Sequence, residues 1–161
     1  MTFVIRTRVA RPHHAAAIVA AARAGGFAAA ADNDGYVAIG GDDAIVDRLL
    51  VLDASPRPHE AQLGALLGYP ACCVSRVTGE GECRIDALAD EATRWTYAGP
   101  FWAIDPTGYR VGRALISHIP CGPSCVASMR DACRALDHLR TSPPVPAWEP
   151  IRRWAQVSAT R

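Results

Sequence analysis

Two short segments constrain this chain more than anything else in it: Gly68-Tyr69-Pro70-Ala71-Cys72-Cys73, and further on His118-Ile119-Pro120-Cys121-Gly122-Pro123-Ser124-Cys125. Each sets thiols beside a proline where the pattern predicts a helix to open. Proline suits a first helical turn because its φ is preset and its missing N–H has no partner to lose there. A thiolate at that position faces unsatisfied backbone N–H groups and the positive end of the helix dipole. Four sulfurs in two such places point to a metal site, an iron–sulfur site or a redox pair.

Composition narrows the chemistry further. A chain of 161 residues suits one domain, or two small ones sharing a core. Half of it is hydrophobic and 20% is charged, the balance of a globular protein. A formal net charge of +1 provides no electrostatic footprint for nucleic acid or an anionic membrane. Every basic residue is arginine. Without lysine there is no Schiff-base chemistry and no Walker-type phosphate loop. The serines lack a nucleophile-elbow context.

Arg6, Arg8 and Arg11 near the start are not followed by an apolar signal region, and no stretch has the length of a membrane span. The expectation is a soluble cytoplasmic protein. Six cysteines in a reducing compartment then read as ligands, catalytic thiols or core packing rather than disulfide staples.

The periodicities predict a mixed, helix-rich α/β fold. Residues 2–9 alternate as a strand, with Phe3, Ile5, Thr7 and Val9 on one face and Val4, Arg6 and Arg8 on the other. A helix follows from Pro12 to about Arg23, ended by Gly25-Gly26. Tyr36–Ile39 reads as a short strand, and a helix capped by Asp42 or Asp43 runs through Leu50. This makes a small βαβα unit over residues 1–54, expected to pack on a helical cysteine-bearing module over 55–142.

In that module Pro58 opens one helix and Pro70 the next. Arg84–Tyr97 is amphipathic, Val111–Ile119 reads as a short central strand, and Ser124–Arg140 as a helix with Ser124 as its cap. Residues 143–161 read as a Pro-rich extended tail with one possible short helix.

The cysteines separate by position. Consecutive helical residues point about 100° apart, so one of Cys72 and Cys73 is expected to reach a shared site, Cys73 ahead of Cys72. Cys121 and Cys125 form a Cys-x₃-Cys at a helix start, compatible with zinc or iron–sulfur ligation. His118, three residues before Cys121, is a candidate fourth ligand or a base, with a hydrogen-bonded core histidine as the alternative. Cys133 falls in a row with Met129 and Leu136 that reads as core. Cys83 has no partner nearby in sequence.

The two motifs together resemble an uncharacterised prokaryotic domain family that pairs Gly-Tyr-Pro-x-Cys-Cys with a later Pro-Cys-x₃-Cys. The resemblance covers about Pro58 to Arg140. It implies that Cys72, Cys73, Cys121 and Cys125 act as one constellation, and it implies no substrate.

The leading expectation is a thiolate-ligated metal or iron–sulfur protein in which Cys73, Cys121 and Cys125, with Cys72 or His118, surround a zinc ion or a cluster. An enzymatic role in sulfur or biosynthetic chemistry is compatible with it, although no base or nucleophile is placed. One alternative is a metal-free dithiol cycling through Cys121 and Cys125. Another is a non-catalytic protein-binding module, with the Phe101-Trp102 loop and the Pro-rich tail presenting an interaction surface and all cysteines in the core. The small-molecule substrate or protein partner is unspecified. A shared site requires the sulfurs to lie within roughly 8 Å, because Zn–S bonds are only about 2.3 Å.

Overall fold

The alternation near the N-terminus does form a strand. In a computed structural model, which describes residues 4–8, 12–56, 59–111 and 114–141, β1 (Val4–Arg8) pairs antiparallel with β3 (Tyr36–Gly40). Val4 lies opposite Gly40 and Arg8 opposite Tyr36. Between them in sequence come α1 (Pro12–Ala24) and a strand not expected from propensity, β2 (Ala28–Ala31). Among the described residues the sheet has three strands in the order β1-β3-β2. The fold is helix-rich mixed α/β.

Four alanines make a strand here because tertiary context overrides a helical preference. β2 runs beside the central β3, where Val37 and Ala38 are both fully buried. Adjacent strand residues point to opposite faces, so β3 is covered on both sides. α1 and α2 (Asp43–Asp53) both pack on β2 and β3. Val46 and Leu49 of α2 meet the face carrying Ala28, Ala30 and Ala38, which leaves the other face to α1. Asp42 caps α2, its carboxylate accepting from the Ile45 N–H at 2.9 Å.

Arg6 lies on the face toward α2. It pairs with Asp53 at 2.6 Å and stacks over Tyr36 at 4.1 Å. Ile5, on the opposite face, is 47% exposed.

The chain divides into two compact units, Met1–Val74 and Ser75–Arg161. The division does not fall at the Pro-rich stretch after residue 54. α3 (Glu60–Leu66) belongs with the first unit because Leu63, Leu66 and Leu67 pack against Ala38, Val46 and Leu49. The boundary lies instead inside α4 (Ala71–Glu80), a single continuous helix. Pro58 and the tail over 143–161 lie outside the described residues.

In the second unit α5 (Ile85–Thr93) is shorter than its apolar pattern predicts. Tyr97 folds back and its hydroxyl donates to the Ala92 carbonyl at 2.9 Å. Burial, with Asp105 beside it, pushes the Tyr97 pKa up and keeps the hydroxyl a neutral donor.

The strand expected over Val111–Ile119 does not form. Pro106–Val111 is a 3-10 segment and residues 114–120 are irregular. A strand needs a neighbouring edge for its backbone groups, and the described residues of this unit contain none. Leu115 and Ile116 are consecutive and both buried.

α6 (Val126–Thr141) buries Ser128, Ala132 and Leu136. Cys133 is therefore exposed rather than in the core, because the inward row lies one residue from the one expected. Phe101 and Trp102, expected exposed, are half-buried in the 3-10 segment Gly99–Ile104, and α6 packs against that segment.

Candidate metal centre

The Gly-Tyr-Pro segment is a helix–helix corner. α3 closes with the Gly68 N–H on the Ala65 carbonyl and the Tyr69 N–H on the Gly64 carbonyl. Gly68 sits at φ +73°, a left-handed conformation that costs a residue with a Cβ about 1–2 kcal/mol. Pro70 then accepts the Cys73 and Val74 N–H groups on its carbonyl, opening α4. Cys72 and Cys73 are thus the second and third residues of the helix.

α4 is held one turn further on by Arg76. Its guanidinium pairs with Glu91 at 2.9 Å, stacks over Trp95 at 4.7 Å and donates to the Pro120 carbonyl at 3.3 Å. Pro120 is buried and immediately precedes Cys121.

At the second motif, Cys125 rather than Ser124 is the cap of α6. Its carbonyl accepts the Met129 N–H, and its Sγ accepts the Ser128 N–H at 3.4 Å. A thiol here takes the place usually held by the oxygen of Ser, Thr, Asp or Asn.

These two helix openings bring four sulfurs together. The Sγ atoms of Cys72, Cys73, Cys121 and Cys125 all lie within 4.8 Å of one another, well inside the limit set from sequence. The Cys72 and Cys73 sulfurs are 3.9 Å apart, so the expectation that helical rotation would keep one of them away is corrected. Side chains lean toward a helix N-terminus. In the first turn, two neighbours can therefore converge on a point beyond the helix end, where in mid-helix they would diverge. Cys73 and Cys125 are buried, Cys121 is half-buried and Cys72 exposed.

No protein-family model matches the chain. Nor does any curated protein or solved structure. The geometry of the four cysteines is that of a group able to bind a metal.

The six cysteines are thiols, with no disulfide among them. Cys83 and Cys133 are exposed and stand outside the group, so a core role for all the cysteines is excluded.

His118 is not a member of the group. Its Nε2 lies 2.8 Å from the Ser128 hydroxyl, which in turn donates to the Cys125 Sγ at 3.2 Å. The sequence does not announce Ser128, which looks like any helical serine. Only its complete burial, at 0% exposure, marks it as polar for a reason. His118 also lines a cavity of about 520 Å³ with Ile85, Ala89, Tyr109 and Ile116.

Burial lowers the His118 pKa from 6.5, against a smaller opposing pull from Asp131. The unfolded chain then binds this proton before the folded chain does, so stability falls as pH drops below about 6.5. The expected result is that the urea midpoint falls less between about pH 7.5 and pH 5.5 in His118→Gln than in the parent. Equal slopes would show that the folded chain does not hold the His118 imidazole neutral over this range.

No helix among the described residues is long and apolar enough to cross a membrane.

Proposed function

We propose that Cys72, Cys73, Cys121 and Cys125 hold a single tetrahedral zinc ion as a structural cross-link. The observation that carries this is the mutual separation of the four sulfurs, at most 4.8 Å. Zn–S bonds of about 2.3 Å give a tetrahedron with edges of roughly 3.8 Å. The pair at 3.9 Å already has that spacing, and the others reach it by moving less than the length of a bond.

The donor set agrees. Thiolates are soft ligands, and a tetrahedral four-sulfur site suits zinc. An iron–sulfur cluster spreads its four thiolates over two or more irons and directs them outward, so it needs a wider set. The excess negative charge of four thiolates on one divalent ion faces the N-terminal turns of α4 and α6, whose dipoles offset part of it. Four thiolates also leave no open coordination position, the mark of structural rather than catalytic zinc. A reducing, cytoplasmic setting follows from keeping these sulfurs as thiolates.

Metal analysis of protein purified under reducing conditions tests this reading. One equivalent of zinc per chain in a colourless protein is expected, and cobalt should replace it to give the absorption of a tetrahedral thiolate site. Iron with labile sulfide would replace the reading with a cluster. A metal-free protein that forms a Cys121–Cys125 disulfide in air would replace it with the dithiol.

A further inference from the structure

The four sulfurs are not equivalent. Cys125 is 7% exposed and accepts two hydrogen bonds from one residue, the backbone N–H of Ser128 at 3.4 Å and its hydroxyl at 3.2 Å. The hydroxyl proton is committed to sulfur, so the Ser128 oxygen is left as the acceptor for His118 Nε2 at 2.8 Å. That assigns the proton of the neutral imidazole to Nε2. The result is a directed chain, His118 to Ser128 to Cys125, ending on a ligand sulfur. Cys72 stands at the opposite extreme as the exposed member of the set.

We infer that Ser128 and His118 are positioning residues for the metal, making Cys125 its firmest and least nucleophilic ligand and leaving Cys72 as the ligand that electrophiles reach first. Two donors on one sulfur stabilise its negative charge and occupy the lone pairs that would attack an electrophile. His118 acts at one remove by holding the Ser128 hydroxyl in the rotamer that reaches sulfur. Partners of this kind typically change metal affinity 10–100-fold. The inference rests on the zinc reading and adds an order of reactivity to it.

The reaction that exposes the order is alkylation of the zinc-loaded protein with limiting iodoacetamide. The attacking sulfur forms a bond to the methylene carbon, iodide leaves, and the neutral thioether is lost as a charged ligand. Peptide mapping should find Cys72 modified first among the four and Cys125 last, with exposed Cys83 and Cys133 as internal references.

Ser128→Ala should weaken zinc binding by about 10–100-fold and move Cys125 up the alkylation order. In the cobalt-substituted protein it should shift the sulfur-to-metal charge-transfer band to longer wavelength, because a sulfur without its donor holds its electrons less tightly. A merely structural serine would lower the melting temperature and leave that band in place. His118→Gln, which keeps a donor, should behave like the parent. His118→Leu should fall between the parent and Ser128→Ala, and this pair decides the matter if Ser128→Ala does not fold.

Cys125 reacting as fast as Cys72, or an unshifted cobalt band in Ser128→Ala and in His118→Leu, would overturn the inference while leaving the zinc site standing. A chain that takes up neither zinc nor cobalt would overturn both.

Discussion

Cys73→Ser is expected to lose about 10²–10³-fold in zinc affinity, the share of one ligand in the roughly 10–16 kcal/mol with which structural zinc is bound. Cys73 is 2% exposed, so no water or neighbouring side chain can readily substitute for it. At fixed free zinc each tenfold loss of affinity removes about 1.4 kcal/mol of stability, which brings the total to roughly 3–4 kcal/mol.

Cys121→Ser should behave alike, whereas Cys83→Ser and Cys133→Ser, outside the group, should match the parent. Competition against a chromophoric chelator measures the affinities. Thermal unfolding with and without the chelator measures the linkage. If Cys73→Ser and Cys83→Ser retained zinc equally, the four-sulfur site would be wrong whatever metal the protein carries.

The second large effect is expected at a residue with no functional group. Gly64, buried in α3, would place a Cβ 2.6 Å from Val74 Cγ2 and 3.3 Å from its Cγ1. Valine in a helix is held almost wholly to one χ1 rotamer, so Val74 cannot rotate clear and α3 and α4 must separate. Overpacking of this kind costs about 1–3 kcal/mol, and the gain from replacing a helical glycine by alanine offsets about 1 kcal/mol of it.

Gly64→Ala is therefore expected to be net destabilising. It should also weaken metal binding, since Val74 follows Cys73 directly and the displacement falls on the turn that carries the ligands. Val74→Ala in the same chain should restore much of both losses. A double-mutant cycle in urea unfolding and zinc titration reads the coupling. Additive effects would mean that the close approach at Gly64 does not position the cysteines.

Both effects lie on one corner of the chain, and that corner was largely legible in advance. Pro70 as a helix start and the thiols in its first turn are consequences of local stereochemistry. The same holds for the Asp42 cap and for the alternation of β1. Such features depend on residues within four or five positions of one another, so the chain carries them wherever it folds.

The misreadings share a different cause. Ala28–Ala31, to which the periodicities assign no element, became a strand because β3 offered it an edge, and 114–119 did not because the described residues of its unit offer none. Cys133 faced outward because Ser128, one residue off the expected row, was drawn inside by His118 and Cys125.

For the site itself, the amino-acid sequence determined that two pairs of thiols would stand at helix openings, since proline and the first-turn N–H groups settle that locally. Only the tertiary structure decided that all four sulfurs meet, that Cys72 joins Cys73 and that His118 stands behind Ser128 rather than in the sulfur group. Those outcomes depend on where two helix ends come to rest, and that is set by packing between residues far apart in the chain.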